Sequence, residues 1–263
     1  MKIFICTDLE GIGGITFFDQ TRDKTNLLYQ EARHLLTQEV NACVQGCLDG
    51  GATDLIVRDG HGGGFNFFVE DLHPAARYIT GPGRPRPDSG MDGTIDGLIL
   101  LGYHAMNGTE DGVLHHTQSS LGENKYWYNG VESGEIVQTS LVAGYHGIPP
   151  IMCSGDLRCC EEAQRFLGDE IVTVVVKEGF SRTSSIMYAP AKSRELVREG
   201  ARKAMAAIPR CRPYKLPLPI TGRLQLKDKE AIDRIVEKGL SRRIDDFTVE
   251  RVFDDPREAY RFQ

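Results

Sequence analysis

The chain has 263 residues and a formal net charge of −6, with 40% apolar and 26% charged residues. That length can bury one sizeable core, with room for a small appendix, and the composition is that of an ordinary globular chain, not a disordered one. No apolar run approaches the ~18 residues of a membrane-spanning helix and no Lys/Arg stripe matches a phosphate backbone, so neither membrane nor nucleic acid is expected as a partner. The chain opens MKIFICTDLEG, an apolar run that ends in carboxylates and not in the small residues of a signal-cleavage site, and its seven cysteines make an odd set without a CxxC pair. A cytoplasmic protein with reduced, buried thiols is expected.

In chain order, Lys2–Thr7 reads as a buried strand, apolar without polar alternation. Residues 26–48 follow with Leu28, Ala32, Leu35, Leu36, Val40, Cys43, Val44 and Cys47 at helical spacing, stopped by Gly50 and Gly51. Asp54–Asp59 is a second strand, residues 77–80 a short third, and the Pro/Gly-rich stretch 81–93 a loop. Residues 95–103 give the most apolar strand, and residues 126–131 a hairpin turning at Asn129 and Gly130. A helix over 135–146, a strand over 150–153, a helix over Leu157–Leu167 and a strand over 171–177 complete the β–α alternation. The fold class is therefore α/β, a mostly parallel sheet flanked by helices.

The tail differs. A charged amphipathic helix over 191–208 leads through PRCRPYKLPLP to a strand at 223–226, a helix at 229–240, an alternating strand around Phe247 and Val249, and a short closing helix from Pro256. The predicted organisation is a catalytic α/β domain over 1–190 and a smaller C-terminal α+β subdomain over 191–263, the boundary being good to about ten residues.

Three strands end in metal-donor residues. The first ends in Asp8-Leu9-Glu10, where carboxylates two apart in extended chain face the same way. The second ends in Asp59-Gly60-His61, followed by three further glycines, and the third in Gly102-Tyr103-His104. In an open α/β sheet ligands bind outside the carboxyl ends of the strands, so these donors are aimed at one crevice. Of the adjacent pair His115 and His116, one ring is expected to face the crevice and the other to pack or meet solvent. Glu135, read alone, is a helix-dipole carboxylate behind an N-capping Ser133. No GxSxG elbow, GxGxxG fingerprint or Walker A pattern is present.

The segments DLEGIGG (8–14), DGHG (59–62), LGYHAM (101–106), GVLHHT (112–117), SGE (133–135), SGD (154–156) and VVVKEGFSR (174–182) together resemble the zinc-dependent D-aminopeptidase (DppA-like) metallopeptidase family. The resemblance runs in order through nearly the whole chain. It implies two Zn²⁺ per subunit bound by Asp8, Glu10, His61, His104 and Glu135, with Asp8 bridging, Glu10 and His104 completing one ion's ligands, and His61 and Glu135 the other's. It also implies that His116 is the catalytic histidine, that Lys177 and Arg182 line the substrate cleft, and that the protein is a homo-oligomer, a decamer. Asp59 is expected to steady a ligating imidazole or the loop after it. The implied activity is aminopeptidase hydrolysis of short peptides or aminoacyl amides carrying D-residues at the N-terminus. Two alternatives remain: another dinuclear metal hydrolase (an amidase or a phosphoesterase, for which Arg58 is the nearby cation) and a non-catalytic metal-binding oligomer.

Overall fold

The computed structural model describes residues 1–83, 85–259 and 262. The chain runs β1 (Lys2–Thr7), α1 (Leu27–Asp49), β2 (Asp54–Asp59), β3 (Arg77–Ile79), β4 (Gly97–Tyr103), β5 (Lys125–Tyr128), β6 (Val131–Glu132), α2 (Glu135–Tyr145) and β7 (Pro150–Asp156). It continues α3 (Leu157–Leu167), β8 (Val172–Ser181), β9 (Ser184–Met187), α4 (Pro190–Ala207), β10 (Ile220–Gln225), α5 (Lys229–Glu237), β11 (Arg242–Asp245) and β12 (Thr248–Phe253).

Strands that are apolar at every position must be covered on both faces, and this is what the first sheet shows. Its order is β3-β2-β1-β4-β7-β8-β9, parallel as far as β8, with β9 antiparallel on the edge. Ile3 and Ile5 pack with the α1 and α4 residues Val40, Val44, Val197 and Ala201. Phe4 and Cys6, pointing the other way, pack with Ile136 and Ala143 of α2 and Ala163 of α3. The chain winds from β1 outward through β2 and β3, then restarts beside β1 with β4 and winds the opposite way. This is the expected α/β architecture, and its reversal of direction leaves a crevice between the carboxyl ends of β1 and β4.

The second sheet, β11-β12-β10-β5-β6, is antiparallel and packs Tyr128, Ile220 and Val249 against Val137 and Leu141 on the outer side of α2. The division expected near residue 190 is crossed in both directions. The β5–β6 hairpin, its turn at Asn129 (φ 49°) and Gly130 (φ 85°), cannot stand alone and pairs with β10. Conversely α4 lies along α1, close enough that a Cβ on Gly46 would stand 2.2 Å from the Arg198 carbonyl oxygen.

β9 and β11 were not foreseen, because SSIM and RRID carry no usable apolar alternation. Residues 254–259 form bends and turns instead of the start of a helix, and Tyr260, on which that helix would continue, lies outside the described residues, as does Arg84 in the loop over 81–93. All seven cysteines are free and buried, as small hydrophobes would be.

Glu39 on α1 is 2% exposed; one carboxylate oxygen accepts the Gly13 N–H at 3.0 Å and the other has no hydrogen-bond partner. Burial pushes its pKa from about 4.5 up to about 7. A carboxyl raised in this way is favoured in its protonated form by folding, so it costs stability as pH rises through that window. Glu39→Gln keeps an acceptor for Gly13 and cannot ionise. Its melting temperature should exceed that of the parent at about pH 8, with the gain shrinking toward about pH 5; thermal melts at both values read this directly.

Candidate metal centre

Two turns meet at the crevice. The Asp8 N–H donates to Leu101 O at 2.8 Å and the Gly11 N–H to Gly102 O at 2.7 Å, so the turn after β1 is laced to the end of β4. A Cβ on Gly11 would stand 1.9 Å from Tyr103 O, and one on Gly102 (φ 73°) 2.5 Å from Asp8 O; only glycine permits this approach. The resemblance placed Lys177 in the substrate cleft. It lies instead beneath the crevice, 2% exposed, with its ammonium donating to the carbonyls of Glu10, Ile12 and Ile15. Burial lowers its pKa to about 8, against the opposing pull of Asp156, Glu39 and Glu10. Lys177 therefore staples the turn that carries Glu10.

The five donors named from the sequence converge. His61 Nδ1 lies 3.1 Å from Asp8 Oδ1 and 3.0 Å from Glu10 Oε2. His104 Nε2 lies 3.2 Å from Asp8 Oδ2 and 3.6 Å from Glu135 Oε1. Asp8 thus turns one oxygen to each imidazole. Donor atoms of Asp8, Glu10 and His104 fall within 4.8 Å of one another, and so do those of His104, His116 and Glu135.

Each of the three rings has its remaining nitrogen on a backbone carbonyl: His61 Nε2 on Thr21 O at 2.9 Å, His104 Nδ1 on Ala105 O at 2.9 Å, and His116 Nδ1 on Leu114 O at 2.8 Å. A carbonyl only accepts, so that nitrogen carries the proton and the other presents its lone pair to the centre. His116 stacks on His104 with centroids 4.0 Å apart, and its Nε2 is 3.9 Å from Glu135 Oε1. His115 faces elsewhere: its Nδ1 accepts the Gly108 N–H at 3.0 Å.

Around these lies a layer that sequence reasoning only half found. Asp59 steadies the loop and not the ring: its oxygens accept from Asn66 N at 2.6 Å, Asn66 Nδ2 at 2.8 Å and Thr80 Oγ1 at 3.1 Å. Asn66 in turn reaches His61 O at 2.8 Å and accepts from Tyr29 OH at 2.6 Å. Tyr29 sat on the apolar face of a helix and Asn66 in a loop, so neither carried a motif signal. Ser133 does not cap α2; Gly134 does, and the Ser133 hydroxyl donates to Val131 O at 3.0 Å. Glu135 is turned inward, where it accepts the Gln118 N–H at 2.7 Å. Arg58 is directed to the Pro87 carbonyl.

Metal chemistry fits the donor set. Glu10 Oε2 and His104 Nε2 are buried without a hydrogen-bond partner, although other donors surround them. Burial pushes Glu135 up to about 7. Burial opposes charge on His104 as well, yet the neighbouring Asp8 and Glu135 carboxylates raise it to about 10. Carboxylates and imidazoles forced together in this way share protons where a cation would satisfy them directly.

Comparison with known proteins agrees. The sequence profile of the D-aminopeptidase family of peptidases matches residues 1–263. The chain belongs to the D-aminopeptidase family. It is 34% identical over 221 residues to a D-aminopeptidase of Bacillus subtilis (strain 168), covering 82% of this chain and 78% of that one. Its fold superposes with a TM-score of 0.93 on the structure described as a Zn-dependent D-aminopeptidase DppA from Bacillus subtilis, a self-compartmentalizing protease, at 28% identity and covering 100% of this chain and 95% of that one. The family resemblance seen in the short motifs therefore holds for the whole fold, and the peptidase expectation with it.

Lys177→Met in this D-aminopeptidase relative strands three buried carbonyls, each costing about 1–3 kcal/mol. Chemical denaturation should register a loss of at least a few kcal/mol, together with weaker metal retention on dialysis; unchanged values for both would show that the staple is dispensable.

Proposed function

We propose that this protein is a dinuclear zinc aminopeptidase that hydrolyses short peptides or aminoacyl amides with a D-residue at the N-terminus. The observation that carries the reading is the pair of buried, unpartnered donors, Glu10 Oε2 and His104 Nε2, inside a ring of further donors in a chain of the D-aminopeptidase family. Asp8, Glu10, His61, His104 and Glu135 are the metal ligands. Asp8 turns one oxygen toward His61 and the other toward His104 and would be shared between the two ions. Glu10 and His104, whose donor atoms lie within 4.8 Å of each other and of Asp8, would hold one ion with it, and His61 and Glu135 would hold the other.

Bound zinc supplies Lewis acidity, which lowers the pKa of water toward neutrality and polarises a carbonyl. The rest is the work of side chains. Burial lowers the His116 pKa to about 4, so the ring is neutral at physiological pH, with Nδ1 committed to Leu114 O. Its Nε2 is then a proton acceptor beside the reacting groups, able to take a proton from water and return it to the leaving amine. Glu135 Oε1, 3.9 Å away, offsets electrostatically the positive charge that the ring carries meanwhile. The net charge of three carboxylates and two divalent cations is positive, which disfavours a cationic substrate group unless its amine binds neutral.

The similar structure described as self-compartmentalizing supports a homo-oligomer; the decamer that the sequence resemblance implies is the assembly proposed. Seven free, buried thiols support a cytoplasmic setting. Among the described residues no helix is long and apolar enough to cross a membrane.

Metal analysis of the purified protein should return about two zinc ions per chain, and Asp8→Ala should lose both. His116→Ala should retain zinc while turnover of aminoacyl amides drops by roughly 10²–10⁴, with His115→Ala close to the parent. Since His116 also lies within 4.8 Å of His104 and Glu135 donors, loss of zinc in His116→Ala would make it a ligand and overturn its catalytic role. Turnover of L- but not D-aminoacyl amides would overturn the stereochemical assignment. Light scattering should give roughly ten times the 29.2 kDa chain mass.

A further inference from the structure

Two guanidinium groups stand at the rim of the metal centre without a carboxylate partner. Phe18, on the short turn after β1, meets the His116 ring edge-on with centroids 6.5 Å apart. The Arg22 guanidinium lies 3.5 Å over the Phe18 ring, and that of Arg182 lies 5.0 Å from it. Arg22 is anchored by Ser120, with Nε on the hydroxyl at 3.0 Å and Nη2 on the carbonyl at 2.6 Å. Arg182 Nε donates to the carbonyl of His115, one peptide unit from His116, at 3.1 Å. Its Nη2 is buried and has no partner. Among the described residues neither guanidinium has a carboxylate at ion-pair distance, in a chain whose net charge is −6.

Two like charges held together on one ring oppose each other, and burying a donor of a charged group without an acceptor is costly. Arg22 feels this: burial and then the neighbouring Arg182 charge lower its pKa. Such an arrangement persists where an anion completes it. A fixed planar fork suits a carboxylate, which accepts two parallel N–H bonds. We propose that Arg182, with Arg22, binds the C-terminal carboxylate of the substrate, so that a peptide with a free C-terminus is preferred to its blocked amide. The inference rests on the aminopeptidase reading of the centre. In a dipeptide the carboxylate lies one residue beyond the scissile carbonyl, and Arg182 is held beside His116 by its hydrogen bond to the carbonyl of the preceding residue, His115. Phe18 spaces the cations from the metals and gives the leaving residue an apolar wall.

The test compares a dipeptide with its own C-terminal amide. The zinc-loaded parent should favour the free acid in kcat/KM by about ten-fold to a hundred-fold. In Arg182→Gln, and less steeply in Arg22→Gln, that acid-to-amide ratio should fall toward one, with Arg182→Lys recovering part of it. A parent enzyme indifferent to the carboxylate overturns the proposal, and so does a variant that loses acid and amide in equal proportion, since a structural prop would act that way. The parent's own ratio needs no variant to fold. If no aminoacyl compound of either kind is turned over, the aminopeptidase reading fails. Calorimetric titration of the zinc-loaded protein with the same acid and amide then decides the site on its own: tighter binding of the acid sustains it, and equal binding overturns it.

Discussion

The structure is organised around buried negative charge. Asp8, Glu10 and Glu135 bring donor oxygens into one crevice, and Asp8 and Glu10 are 7% and 2% exposed. Two ionised carboxylates within 4.8 Å repel by ~3.5 kcal/mol even at an effective dielectric of about 20, before the loss of hydration is counted. Such a cluster persists only if cations neutralise it and the backbone holds it open. Three imidazoles supply part of the compensation, and each is locked in orientation by a backbone carbonyl. Around them the chain spends its least replaceable positions on rigidity: the opposed glycines 11 and 102, and a lysine buried under the turn they shape.

Topology explains why donors so far apart in sequence meet. The sheet reverses its winding direction between β1 and β4, and the two flanking loops must part there. Asp8 and Glu10 leave β1 and His104 leaves β4, at the mouth of this gap, and His61 enters from the next strand, β2. Glu135 arrives by a different route, at the first turn of α2, which the second sheet presses against the first. The small sheet thus acts on the centre without supplying a donor, by fixing the helix that does.

This division of labour sets what could be read beforehand. Strand-end donors were legible because parallel strands have a common polarity, so DLE, DGH and YH had to be presented at one edge. Glu135 was not legible from its own surroundings: a carboxylate in a first helical turn satisfies the helix dipole as well as it does a metal, and only the family resemblance separated the two. Lys177 misled for a related reason. Only the resemblance put it in the cleft, whereas here three carbonyls await it inside. Asn66 and Tyr29, which steady His61 and its loop, had no spacing to betray them. Across residue 190, the hairpin at 125–132 pairs with the small sheet and the helix after 190 packs with α1, contacts between segments distant in sequence that no local pattern announces.

The loop bearing His115 and His116 sharpens the same point. Adjacent residues in an extended chain face opposite ways, and here the choice of ring is made by backbone that few side chains tolerate: Asp111 (φ 57°), Leu114 (φ 55°) and Gln118 (φ 64°) are all left-handed and none is glycine. Asp156 accepts the Val113 N–H at 3.1 Å and Leu114 N donates to Arg182 O at 2.8 Å, so the loop is tied down on both sides of the strain. One residue of slippage would put His115 on the carboxylates and carry the loop away from Arg182. Holding an unfavourable backbone in place is what brings one imidazole to the donor cluster and leaves the other a bystander, and the same tie sets how close the Arg182 guanidinium lies to His116.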